Sequence, residues 1–201
     1  MSIHRETIEA WWDIAHQGES PRYRSDTAAP DVLRCYKAAG LNLWEIEGPC
    51  LEIGPGRGLF LSTLPRPRYG LEVSPHNRQR LVQHGICQGV WSPYDEPQDL
   101  QCRFVSCFLV VQHCSDKMVQ QLFRWARRAC APGAIFFLQT AEWLQEGRPD
   151  DAKSVLEGGG GRPCSAYLEW LTAAGWLPGS PHELNLPVST TRWWIWKAVA
   201  Q

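Results

Sequence analysis

The stretch Leu51-Glu52-Ile53-Gly54-Pro55-Gly56-Arg57-Gly58, an apolar run that breaks into three alternating glycines, constrains this chain more than any other. A buried strand that turns sharply needs residues free to adopt positive φ, and glycine also lets a ligand approach the backbone closely. Residues 49–54 (PCLEIG) therefore read as a buried strand, and the GLFLSTL that follows reads as a short helix stopped by Pro65. Such a turn offers a polar ligand the unpaired N–H groups of a helix start.

The alternation continues downstream. Tyr69 to Val73 reads as a second strand, and Ser74-Pro75 opens a helix that Gly85 closes, because serine caps free N–H groups and proline fits the first turn. Residues 86–90 and 104–111 make a third and a fourth strand. Ser115 caps a helix with Met118, Val119, Leu122, Phe123 and Ala126 on one face, broken by Pro132 and Gly133, and residues 134–139 form a fifth strand. Ser165 then caps a helix bearing Tyr167, Trp170, Leu171 and Ala174, closed by Gly175. Residues 182–186 and 193–199 read as two late strands without a helix between them. Upstream, residues 5–16 have helical periodicity, and a second helix opens at Pro30-Asp31 and stops at Gly40, with Val32, Cys35, Tyr36 and Ala39 on one face. The expected fold is α/β: a mostly parallel seven-stranded sheet with an antiparallel C-terminal edge hairpin and helices on both faces. We read residues 1–201 as a single domain, a helical cap over 1–45 and a Rossmann-like core over 46–201.

The 201 residues suffice for one sizeable core without disulfide staples. Lys and Arg number 20 against 21 Asp and Glu, so the electrostatic footprint of a general nucleic-acid binder is missing. The eight cysteines lie mostly in apolar stretches and form no CxxC pair; buried free thiols are expected, and no metal site. No apolar run approaches the ~20 residues of a membrane span, and the N-terminus lacks a signal-peptide core, so a cytoplasmic protein is expected.

Chemistry enters with Glu72, at the end of the second strand, where a carboxylate can accept both hydroxyls of a ribose. Together with the glycine turn it marks a nucleoside site. The dinucleotide fingerprint is GxGxxG, whereas here Gly58 comes one residue early and Leu59 takes the third-glycine place. In these features, in Phe108 to Asp116 (FLVVQHCSD), in ARRACAPGA and in YLEWLTAAGW, the chain resembles the class I S-adenosylmethionine-dependent methyltransferases over nearly its whole length.

That resemblance implies methyl transfer from S-adenosylmethionine, leaving S-adenosylhomocysteine, to a small-molecule acceptor whose reacting atom stays open. It implies that Gly54, Gly56 and Gly58 run beneath the methionine and ribose, that Glu52 helps order the turn, and that Phe108 and Leu109 border the methionyl group. His113 would face the substrate, either as a general base or as a residue that only caps or packs its corner. The acidic residue that often follows the third strand is replaced by Val90-Trp91-Ser92, and Arg103 stands where many relatives have an acid. Trp91 either stacks on the adenine or packs in the core. Trp12, Arg22 and Tyr23, in the N-terminal segment, are candidate substrate contacts, with a solvated loop as the alternative. Gly158 to Gly161 make either a lid or a connector. Two rival functions remain, a non-catalytic cofactor-binding protein and a nicotinamide-dependent oxidoreductase; the early third glycine disfavours the second.

Overall fold

The structure, a computed structural model, describes residues 8–10, 29–42, 44, 46–143, 161–184 and 191–201. Helix α1 (Ala29–Ala38) carries Asp31 in its first turn and Lys37 in its last, each favourable to the helix dipole. Its Val32 and Tyr36, one turn apart, are buried, and Gly40 ends it at φ +87°. Strand β1 (Cys50–Ile53) is buried throughout. It pairs in parallel with β2 (Arg68–Leu71) on one side and β4 (Cys102–Cys107) on the other. Strand β3 (Gly89–Trp91) extends the sheet beyond β2, reached through α2 (Pro75–Gln83), whose first turn is capped by the Ser74 hydroxyl accepting from Asn77 N–H. Helix α3 (Asp116–Arg128) is capped likewise by Ser115, and it leads into β5 (Cys130–Trp143), parallel to β4.

Helix α4 (Cys164–Ala173) leads to β6 (Trp176–Pro178), β7 (His182–Leu184) and β8 (Thr191–Ala200). The sheet order is β3-β2-β1-β4-β5-β8-β6, with β7 also on β8; β8 runs antiparallel to β5, β6 and β7. The chain leaves β1 toward β2 and β3 and returns to β4 on the other side. The order therefore reverses between β1 and β4, and a ligand crevice is expected outside their carboxyl ends.

Period-two alternation sends successive side chains to opposite faces. Leu51, Ile53, Val105, Phe136 and Leu138 pack under Val119, Leu122, Phe123 and Trp125 of α3 and Tyr167 and Leu171 of α4. Cys50, Phe104 and Phe137 pack under Val32 and Tyr36 of α1, Leu81 of α2 and the Phe60–Leu64 turn. Among the described residues three tryptophans are core. Trp125, Trp176 and Trp196 are buried with each indole N–H donated, to Asp95 O, Phe123 O and Thr140 Oγ1, so burial leaves no orphaned donor.

Several expectations are corrected. GLFLSTL forms no α-helix, only a 3-10 turn over Leu61–Thr63. Pro65 holds Leu64 extended at ψ 158°, and the Ser62 and Thr63 hydroxyls donate back to Leu59 O and Phe60 O, which competes with helix. Ser165 does not cap α4; Pro163 holds that position without a side-chain bond. The fourth strand ends at Cys107 rather than Val111, because Leu109 turns to φ +59°. The third strand lies later than expected, the fifth is longer, and β6, packed on β8 through Trp176, was not foreseen.

Candidate functional site

Gly54, Gly56 and Gly58 all take positive φ, at +65°, +52° and +79°. The space opposite two of them belongs to the protein itself. A Cβ at Gly54 would stand 2.4 Å from Val110 Cγ2, and one at Gly58 would stand 2.6 Å from Leu81 Cδ2. These two glycines therefore let the turn seat against the segment after β4 and against α2. The turn's N–H groups are not left open as at a helix start. Gly58 N–H donates to Pro55 O, and Gly56 N–H donates to the Glu72 carboxylate at 2.9 Å.

Glu72, at the end of β2, gathers the hydrogen bonds of the turn. It is 2% exposed, and its other oxygen accepts Ser74 N–H at 2.8 Å. Burial pushes its pKa up, opposed by those N–H bonds and by the Arg78 guanidinium. The two oxygens offer four acceptor directions, and the backbone N–H groups of Gly56, Ser74 and Val73 take three of them, so one remains. Arg78 Nη1 donates to Glu72 O and Val73 O, and Arg78 Nη2 lies 3.8 Å from the Glu9 carboxylate. Glu9 Oε1 also receives the Ser92 hydroxyl at 3.4 Å, which sets the helical residues 8–10 against the carboxyl ends of β2 and β3.

Glu52 lies on the α1 face of β1. One oxygen takes Leu61 N–H, which ties the 3-10 turn to the strand, and burial raises its pKa to about 8, so its carboxyl is protonated at neutral pH. On the adjoining strand, Ser106 Oγ pairs with Tyr36 Oη at 3.0 Å. Phe108 and Leu109 lie in the turn beyond β4. Phe108 meets Tyr36 edge-on at 5.7 Å, and Leu109, 37% exposed, donates its N–H to Gln139 Oε1 at 2.9 Å. A left-handed leucine costs roughly 1–2 kcal/mol, the kind of strain that collects at functional sites. His113 closes the next 3-10 turn, Val111–His113, half-buried.

Trp91 packs between Tyr69 and Trp125, with centroids at 5.9 and 6.3 Å, and lies over Gly89. Those are core contacts. Trp12, Arg22, Tyr23 and residues 158–160 lie outside the described residues.

Asn77, Gln112, Gln139 and Arg162 escaped the sequence reading. Asn77 Nδ2 and Gln112 Oε1 are buried without a partner. Leaving such an atom unpaired costs about 1–3 kcal/mol, and one way to recover it is a ligand. One donor sits on the first turn of α2 beside Glu72, and one acceptor sits in the turn after β4. A ligand with hydroxyls, an ammonium and a carboxylate, such as S-adenosylmethionine, suits that donor and acceptor set. Only the Ser74 to Asn77 capping interval hinted at Asn77 in the sequence, and nothing hinted at Gln112 or Arg162.

A family model described as a methyltransferase domain matches residues 22–176. No curated protein matches the sequence. Among solved structures, a geranyl diphosphate C-methyltransferase from Streptomyces coelicolor superposes with a TM-score of 0.68 at 13% identity, covering 100% of this chain and 98% of that one. A possible histamine N-methyltransferase from Thermotoga maritima gives 0.60 at 15% identity, covering 98% of each chain. An S-adenosylmethionine-dependent methyltransferase from Mesorhizobium loti gives 0.60 at 17%, covering 87% of this chain and 99% of that one.

Proposed function

Because the chain belongs to the methyltransferase-domain family, within the class I S-adenosylmethionine-dependent enzymes, we propose that it methylates a small-molecule acceptor in the crevice between the carboxyl ends of β1 and β4. The observation that carries this reading is Glu72, a buried carboxylate aligned by Gly56 N–H and Ser74 N–H at the end of β2. Solved relatives in fold act on small acceptors, geranyl diphosphate and mitomycin among them, which supports that substrate class. A charge of −1 gives nucleic acid little to hold, and eight free thiols suit a reducing, cytoplasmic setting.

The cofactor supplies an electrophilic methyl group on a sulfonium; the protein's work is to bind, align and keep water out. Glu72 would accept a ribose hydroxyl on its remaining acceptor direction, and Asn77 Nδ2 would supply a donor. The β1 turn would lie beneath the cofactor: Gly54 and Gly58 seat it against Val110 and Leu81, Gly56 N–H aligns Glu72, and Glu52 holds it through Leu61 N–H. Phe108 and Leu109 form the apolar border of the methionyl end. His113 accepts the proton from an acceptor hydroxyl, amine or thiol, and Trp12, Arg22 and Tyr23 are the substrate contacts of the N-terminal segment. Displacement needs little covalent help, since alignment alone supplies up to roughly 7–11 kcal/mol.

The test is to incubate wild type and His113→Gln with S-adenosylmethionine and panels of small hydroxyl, amine and thiol acceptors, reading S-adenosylhomocysteine by mass spectrometry. We expect acceptor-dependent product, reduced about 100-fold or more in the variant with cofactor affinity retained. Cofactor that binds but is never turned over by any panel would favour the non-catalytic reading.

A further inference from the structure

Arg162 is 1% exposed, yet it lies outside regular structure, at the entrance to α4. Its Nε meets Asp116 Oδ1 at 2.6 Å, Nη1 donates to Val111 O at 3.0 Å, and Nη2 donates to Cys114 O. The Trp170 ring lies 5.7 Å from its guanidinium carbon, and its backbone N–H donates to Ala141 O on β5 at 2.9 Å. The two carbonyls it holds flank Gln112 and His113. A buried guanidinium is a poor route to stability alone, since apolar residues of like volume often serve as well. What its planar fork does supply is three fixed directions at once. Here all three are spent on the segment from Val111 to Asp116, which includes Gln112, whose Oε1 is buried and unpartnered. Upstream, the same segment is held by Leu109 N–H on Gln139.

We propose that Arg162 is a positioning residue of the methyl-transfer site: it fixes the Val111–His113 turn so that Gln112 offers its side-chain carbonyl to a hydrogen-bond donor of the bound ligands while His113 faces the acceptor. This rests on the reading of the crevice given above. It goes further by assigning Gln112 a ligand and by tying the turn, through Arg162, to Ala141 O on β5.

The test is amide hydrogen exchange on the whole protein, wild type, Arg162→Lys and Asp116→Asn, with and without S-adenosylhomocysteine. Lysine keeps the charge, but its compact ammonium lacks the planar fork that reaches these three separate acceptors, whereas Asp116→Asn keeps both carbonyl bonds. In Arg162→Lys we expect exchange of the His113 and Cys114 amides, which donate to Val110 O and Val111 O, to rise by about ten-fold or more. Amides of β1 and α3 should stay within about two-fold of wild type, and Asp116→Asn should leave the turn protected. The His113 ring Cε1–H resonance should move in Arg162→Lys and stay in place in Asp116→Asn. Unchanged turn exchange in Arg162→Lys, or a rise spread evenly over the fold, would overturn the proposal. Failure of S-adenosylhomocysteine to bind wild type would instead strike the reading beneath it, because turn exchange is measured without ligand as well.

Discussion

Replacing Glu52 by Gln should make the protein more stable as the pH rises. The Glu52 carboxyl is fully buried; desolvation, offset by Leu61 N–H and reinforced by Glu72, lifts its pKa from the ordinary 4.5 to about 8. In the unfolded chain the group ionises above pH 4.5, while in the folded chain it stays protonated until about pH 8. A raised carboxyl pKa thus opposes folding: its contribution is harmless below the unfolded value, worsens through the window between the two, and levels off above the folded one. Each pH unit within that window is worth about 1.36 kcal/mol, so the wild type loses on the order of 3 kcal/mol between pH 5.5 and 7.5 from this group alone. Glutamine keeps an acceptor for Leu61 N–H and does not titrate. Glu72, also raised by burial, is present in both proteins and largely cancels in the comparison. Urea melts at pH 5.5 and 7.5 give the stability gap between variant and wild type. It should widen by about 3 kcal/mol in the variant's favour at the higher pH. A gap constant to within about 0.5 kcal/mol would refute the reasoning.

Other outcomes follow from single contacts. Gly54→Ala should destabilise by about 2–4 kcal/mol, combining left-handed strain with the 2.4 Å approach to Val110; adding Val110→Ala should relieve the steric part, and strictly additive melts would contradict this. Trp91→Ala should lower thermal stability by about 3 kcal/mol or more and leave cofactor affinity within about three-fold, since its ring packs on Tyr69 and Trp125; calorimetry showing a larger affinity loss would return it to the adenine. Ser115→Ala should cost about 1 kcal/mol in a denaturant melt through the lost Met118 N–H cap.

Much of the fold was legible because its signals are local. The glycine turn, the Ser74 and Ser115 caps and the glycines at positions 40, 85 and 175 each report a backbone requirement that one or two residues satisfy. Glu72 was legible because its place follows from counting strands. The short turn at Leu61–Thr63 was misread because helix periodicity cannot weigh the pull of Pro65 and two back-bonding hydroxyls. Arg162 and Gln139 were invisible for a different reason: their partners, Val111 and Leu109, lie far along the chain, and only the folded sheet brings them together. For Trp91 the sequence left adenine stacking and core packing open, because its ring contacts with Tyr69 and Trp125 join residues far apart along the chain.

The central claim, that Glu72 anchors a bound adenosyl cofactor, is tested most directly by calorimetric titration of S-adenosylhomocysteine into wild type and Glu72→Ala at matched pH. We expect micromolar binding to wild type and a loss of about ten-fold or more, roughly 1.4 kcal/mol, in the variant, with its cooperative melt retained. Equal affinity in two folded proteins, or no binding to wild type, would contradict that claim.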